Sequence, residues 1–132
     1  MPTAIFVNLP VRDLQKSMRF FEALGYQHNP QWTDETAASI VISDTIYVML
    51  LTHPKFQDFT PKPIADATKV TEVLLCLSCE SREAVDEMVA KALAAGGSAS
   101  GKAMDHGFMY QHSFQDPDGH MWEVVWMNQA AG

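Results

Sequence analysis

The feature that most constrains this chain is an internal repeat with a period of about 65–70 residues. A strand-like apolar segment, a capped amphipathic helix ending on glycine and three short strand candidates occur in that order twice. Self-similarity of this kind outweighs any single element assignment. In the first copy Thr3–Val11 is strand-like and Asp13 is placed to cap a helix. Leu14, Met18, Phe21 and Leu24 then recur near helical spacing, and Gly25 follows as the terminating residue. Strand candidates come next at Tyr26–Thr33, Thr36–Ser43 and Thr45–Thr52. In the second copy Thr71–Cys79 is strand-like, and Ser81 caps a helix whose apolar face is Val85, Met88, Val89, Ala92 and Leu93. Gly96-Gly97 ends that helix, and strands are expected at Ser98–Ala103, Phe108–Gln115 and His120–Met127.

Between the copies, His53–Lys69 is polar and carries Pro54, Pro61 and Pro63, so it reads as a linker able to act as a flap. The expected organisation is a single domain over residues 1–132, with module one at about 1–53, a linker at about 54–69 and module two at about 70–132. The expected class is α+β: two βαβββ modules whose strands form a curved mixed sheet, with helices on its outer face and a groove on the other. A ferredoxin-like α+β domain is the alternative.

Composition excludes several classes. An apolar content of 47% with 19% charged residues is ordinary for a globular chain of 132 residues. No apolar run approaches the ~20 residues that a membrane span requires. The N-terminus lacks a basic region ahead of an apolar one, so no signal peptide is expected and the location is expected to be cytoplasmic. The net charge of −7, with Lys and Arg scattered, argues against nucleic acid as a partner and favours cationic over anionic ligands at long range. Cys76 and Cys79 form a C-x-x-C, which can be a redox pair or half a zinc site. Lying in a strand-like run with no second pair, they are expected to be two reduced thiols in the core or a pocket.

The C-terminal hairpin has its own logic. Asp116, Pro117 and Gly119 suit a type I turn. In the following strand Met121, Glu123, Val125 and Met127 face one way, and Trp122, Val124 and Trp126 the other. The tryptophans suit a helix-covered face, which puts Glu123 on the open side. A carboxylate in an apolar strand is costly unless paired, hydrated or ligating. Upstream, Asp105–His112 is rich in chemistry: Tyr110 and His112 share a strand face, and His106 or His112 with Glu123 would make a proton-transfer pair. Trp32 and Trp122, with Met18, Met49 and Met121, are assigned mainly to core and dimer contact.

The order of elements resembles that of the vicinal-oxygen-chelate (glyoxalase, bleomycin-resistance, dioxygenase) superfamily. The resemblance rests on Asn8-Leu9-Pro10-Val11-Arg12-Asp13-Leu14 with Ser17 and Phe20–Tyr26, on Ala92–Gly97, and on Asp116-Pro117-Asp118-Gly119-His120-Met121-Trp122-Glu123. It covers essentially the whole chain and looks closest to the bacterial subgroup labelled predicted lactoylglutathione lyase. It implies a homodimer and a groove lined by Phe6, Asn8, Val48, Leu50, Glu72, Leu74, Cys76, Met121, Glu123 and Val125, with His106 and Tyr110 near its mouth.

Metal-dependent members hold one divalent ion with four His, Gln or Glu side chains. By the resemblance those positions fall here on Phe6, on Leu50 or one of its equally apolar neighbours, near Leu74, and on Glu123. Hydrocarbon side chains offer no lone pair, so no metal and no other cofactor is expected. A shifted site of Glu72, His112 and Glu123 is the alternative, holding one divalent ion such as Ni, Zn, Mn or Fe. The resemblance thus implies a small-molecule-binding protein without the metal centre. The alternatives are a lyase or isomerase of lactoylglutathione-lyase type, with Glu123 as ligand or base and His112 as its partner, and an interaction module with no small ligand.

Overall fold

The structure, a computed structural model, describes residues 3–128. The chain divides into two compact units, Met1–Ala65 and Asp66–Gly132, with the boundary inside the expected linker. The first unit runs β1 (Ile5–Val11), α1 (Leu14–Ala23), β2 (Gln27–Asn29), β3 (Ala37–Val41), β4 (Ile46–Thr52) and a short α2 (His53–Gln57). The second runs β5 (Leu75–Ser78), α3 (Arg82–Ala94), β6 (Ser98–Ala99), β7 (Met104–Asp105), β8 (Met109–Gln115) and β9 (Met121–Met127). The α+β class and the doubled βαβββ order are as expected. The described strands form a four-stranded sheet, β1-β4-β3-β2, and a five-stranded sheet, β5-β9-β8-β6 with β7 on β8.

Both units follow one topology. The first strand pairs in parallel with the last, β1 with β4 and β5 with β9, and the remaining pairs are antiparallel. A parallel neighbour is reached only by a crossover, and α1 and α3 are the helices within those crossovers. Asp13 caps α1 by accepting the Lys16 N–H at 3.1 Å, and Ser81 caps α3 by accepting the Ala84 N–H at 3.0 Å. Helix α1 buries Leu14, Met18, Phe20 and Phe21, and α3 buries Val85, Val89 and Ala92. The matching sheet faces bury Leu9, Val11, Ile40, Val48 and Leu50 in the first unit and Phe114, Trp122 and Val124 in the second. Phe114 and Trp122 stack with ring centres 6.4 Å apart.

Several strands are shorter than expected, for local reasons. Pro30 lacks an N–H, so the Tyr26–Thr33 strand ends at Asn29 and a 3-10 turn covers Pro30–Trp32. The expected Ser98–Ala103 strand keeps only Ser98–Ala99, because Gly101, with a φ of 140°, leaves the strand region, and pairing with β8 resumes at Met104–Asp105, beyond the expected range. Thr71–Cys79 is strand only over Leu75–Ser78, and the linker contains α2.

The hairpin between β8 and β9 is held by a buried acid. Asp116 Oδ1 accepts the Asp118 and His120 N–H groups at 3.0 Å, and Oδ2 accepts the Trp122 Nε1–H at 3.1 Å. Burial pushes the Asp116 carboxyl above its ordinary value, with His120, Trp122 and the turn N–H groups pulling the other way. Replacing Asp116 by Ala strands three donors, two of them in a largely buried turn, and the expected cost is about 3 kcal/mol in urea unfolding. Gly119 has φ +90°, and a Cβ there would lie 2.9 Å from the Ala67 carbonyl oxygen and the Thr68 nitrogen. Gly119→Ala is therefore expected to lower stability by about 1–3 kcal/mol in the same measurement.

Candidate functional site

In the first unit the face opposite α1 carries a cavity of about 500 Å³. Register builds it row by row. Asn8 of β1 lies beside Met49 of β4, Met49 beside Ser39 of β3, and Ser39 beside Asn29 of β2. These four side chains cross the sheet as one stripe and line the cavity. In the adjacent row Phe6 pairs with Tyr47, their rings stacked 5.0 Å apart at 10°. The Tyr47 hydroxyl donates to the Asp44 carbonyl at 2.9 Å, which fixes the ring at the β3–β4 turn.

Trp32 completes the lining from the 3-10 turn and is 63% exposed. Its turn is tightly built. Asn29 Oδ1 accepts the Gln31 N–H at 3.0 Å, the Thr33 hydroxyl donates to the Asn29 carbonyl at 2.7 Å, and the same hydroxyl accepts the Ser39 N–H at 3.2 Å. Asp34 then accepts the Thr36 N–H and hydroxyl and the Ala37 N–H at 2.7–3.0 Å. An indole held in water by an ordered corner leaves a large apolar surface free for a ligand.

Phe6 and Asn8 are thus on the open face, as expected. Leu50 is not, and neither is Val48. Leu50 is 0% exposed and belongs with Val48 to the α1-covered face, because parallel pairing sets Tyr47 opposite Phe6 and Met49 opposite Asn8. Trp32 and Met49 line the cavity, whereas Trp122 and Met18 are core. Asn29, Ser39 and Tyr47 went unrecognised in the sequence. The alternation of Tyr47-Val48-Met49-Leu50 was the available signal, and its register could not be set without the partner strand.

In the second unit Cys76 of β5 and Ser113 of β8 are the register partners of Glu123 on either side. Met121 shares that face by alternation, its sulfur 3.5 Å from the Ser100 hydroxyl. Glu123 is half-buried and Cys76 exposed. Both cysteines are free thiols. Burial, then the Glu123 and Cys79 charges, push the Cys76 thiol up, so it is no activated nucleophile. Leu74 and Glu72 are exposed and precede β5, outside its paired residues.

His112 and Tyr110 lie on the other face. His112 is the register partner of Val124 and Tyr110 of Trp126, so strand alternation turns both away from Glu123 and toward α3. There the Tyr110 hydroxyl donates to Asp86 at 2.6 Å, and His112 Nδ1 lies 3.9 Å from the same carboxylate oxygen. Arg82 of α3 pairs with Asp105, donates to the Gly107 carbonyl at 3.0 Å and packs over the rings of Tyr110 and Trp126. His106 is exposed in the β7–β8 loop beside Phe108. The expected His112–Glu123 pair is therefore overturned, and the shifted ligand set of Glu72, His112 and Glu123 with it.

The residues present do not fit the family's metal. The first-unit face offers Phe6, Met49, Tyr47 and neutral amides and hydroxyls; in the second unit Leu74 offers only hydrocarbon, and Glu123 offers one carboxylate beside Cys76, whose thiol is pushed above its ordinary value. Among the described residues, Asp116, Asp118 and His120 bring three ligating atoms within 4.8 Å. Both oxygens of that buried Asp116 carboxylate are already spent on the hairpin.

The family profile described as the glyoxalase/bleomycin resistance protein/dioxygenase superfamily matches residues 4–124, and the chain belongs to that superfamily. The fold is similar to that of a hypothetical protein of S. aureus, SA1046, at 31% identity and TM-score 0.80, over 96% of this chain and 95% of that one. It is also similar to a glyoxalase/bleomycin resistance protein/dioxygenase family enzyme from Burkholderia phytofirmans PsJN, at 18% identity and TM-score 0.79, over 96% and 99%. The fosfomycin resistance protein FosX of Mesorhizobium loti matches at 14% identity and TM-score 0.71, over 99% and 97%. No curated protein matches the chain.

The Thr36 and Ala37 donors hold the Asp34 carboxyl below its ordinary value of 3.8. An acid with a depressed folded value stabilises above its unfolded value and loses that contribution as pH falls through the folded one. Amide exchange at Thr36 and Ala37 is therefore expected to accelerate, relative to Asp34→Asn, as pH drops below 3.8.

Proposed function

We propose that the chain binds a small, partly aromatic molecule on the open sheet face of its first unit, without the superfamily's metal centre. The observation that carries this reading is Trp32, exposed on a hydrogen-bonded turn and lining the same cavity as the stacked Phe6–Tyr47 pair. The cavity volume lies within the range of small-molecule sites, and its lining is mostly apolar with a few polar groups to set orientation.

Trp122 is buried and Trp126 is half-covered, so Trp32 is the tryptophan whose emission a ligand would move most. A screen of aromatic compounds by thermal shift and tryptophan fluorescence is expected to find binders. Trp32→Ala is expected to weaken them by about tenfold or more, roughly 1.4 kcal/mol, with the unfolding temperature little changed because the ring is in water. Unchanged affinity in Trp32→Ala would place the ligand elsewhere.

A second reading is a lyase or isomerase of lactoylglutathione-lyase type, on the ground that Glu123 stands half-buried on an open face between Cys76 and Ser113. It requires a divalent ion, for which the donors named above are insufficient. Purified protein is expected to carry far less than one equivalent of Ni, Zn, Mn or Fe per chain. A full equivalent that disappears in Glu123→Ala would overturn the metal-free reading in favour of this one.

A further inference from the structure

We infer that the first-unit cavity selects an uncharged, flat ligand bearing hydrogen-bonding groups along its edge, and discriminates against anions and cations of the same shape. The inference rests on the binding reading above and deepens it.

The open face orders its chemistry in stripes. One stripe carries the Phe6–Tyr47 stack, and the next carries the neutral polar groups of Asn8, Ser39 and Asn29 around the Met49 thioether. Trp32, three residues beyond Asn29, also lines the cavity. A flat ring laid on this face therefore meets aromatic surface together with amide and hydroxyl groups. Asn8 Nδ2 donates to the Phe6 carbonyl at 3.2 Å and Asn29 Oδ1 accepts the Gln31 N–H at 3.0 Å, which leaves the Asn8 amide oxygen to accept from a ligand and the Asn29 amide nitrogen to donate to one.

Among the described residues, no charged side chain lines this surface. The ionisable lining group among them is Tyr47, and its hydroxyl is committed to the Asp44 carbonyl. None of the described Arg or Lys residues lines the cavity to neutralise a carboxylate, phosphate or phosphonate, and none of the described Asp or Glu residues lines it to neutralise an ammonium. A charged ligand that gives up water here recovers no ion pair, whereas a neutral one exchanges water for equivalent hydrogen bonds. The acidic excess of the chain does not alter this, because it is concentrated in residues 66–132, and acidic and basic residues nearly balance in the first unit.

The test uses the full chain, with ¹⁵N labelling, and three planar phenyl compounds that differ mainly in charge: benzamide, benzoate and benzamidinium. The signals followed are the Trp32 indole N–H and the Asn8 and Asn29 side-chain amides. Benzamide is expected to bind about tenfold more tightly than either ion. Asn8 is exposed, so Asn8→Asp leaves the core intact. It is expected to move the ratio of benzamidinium to benzamide affinity about tenfold toward the cation. Benzoate or benzamidinium binding as well as benzamide to the unaltered protein would overturn the inference while leaving the binding reading in place. An unchanged ratio in Asn8→Asp would overturn it too. Silence of all three signals toward these compounds, and toward the binders of the aromatic screen, would instead remove the binding reading itself.

Discussion

Each unit depends on its first strand lying parallel to its last. Parallel neighbours cannot be joined by a tight turn, so the chain must leave the sheet, run a helix across one face and return. That crossover decides which face is covered, and therefore which side chains of every strand become core. In the first unit it takes Leu9, Val11, Ile40, Val48 and Leu50 under α1 and leaves Phe6, Asn8, Ser39, Tyr47 and Met49 outside. In the second it takes Trp122, Val124 and Phe114 under α3 and leaves Cys76, Glu123 and Ser113 outside.

The same topology thus presents two different surfaces. The first-unit face is aromatic and neutral, on a frame in which even the exposed corner at Trp32 is hydrogen-bonded throughout. The second-unit face sets a carboxylate between a thiol and a hydroxyl, with partial desolvation and that carboxylate pushing the thiol above its ordinary value. On its helix side the second unit is tied by Arg82, Asp86, Asp105 and Tyr110, a network that fastens the β7–β8 loop to α3. The histidine that looked catalytic in the sequence, His112, belongs to that side.

Sequence reasoning was strongest where one residue type answers one local need. Asp13 and Ser81 supply caps, Gly25 a positive φ of 106°, and Asp116 and Gly119 the hairpin, and each is found in that role. The alternation of β9 was also readable, because two tryptophans and a glutamate on opposite faces leave little choice. It failed in β4. Tyr47-Val48-Met49-Leu50-Leu51 is apolar at every position, and such a run carries no mark of which half is buried. It failed again at His112, where polar residues on both faces of β8 hide the register.

The amino-acid sequence by itself determined the doubled βαβββ order and the ends of α1 and α3, since these follow from local periodicity and capping chemistry. Only the tertiary structure decided which residues meet. The period of a strand is two, so one step of register exchanges the faces, and that step is set by hydrogen bonds to a strand distant in the chain. For this reason Trp32, Ser39, Asn29 and Tyr47 emerge as a site only when β1 to β4 are laid side by side, and Glu123 and His112 separate only when β8 is placed against β9.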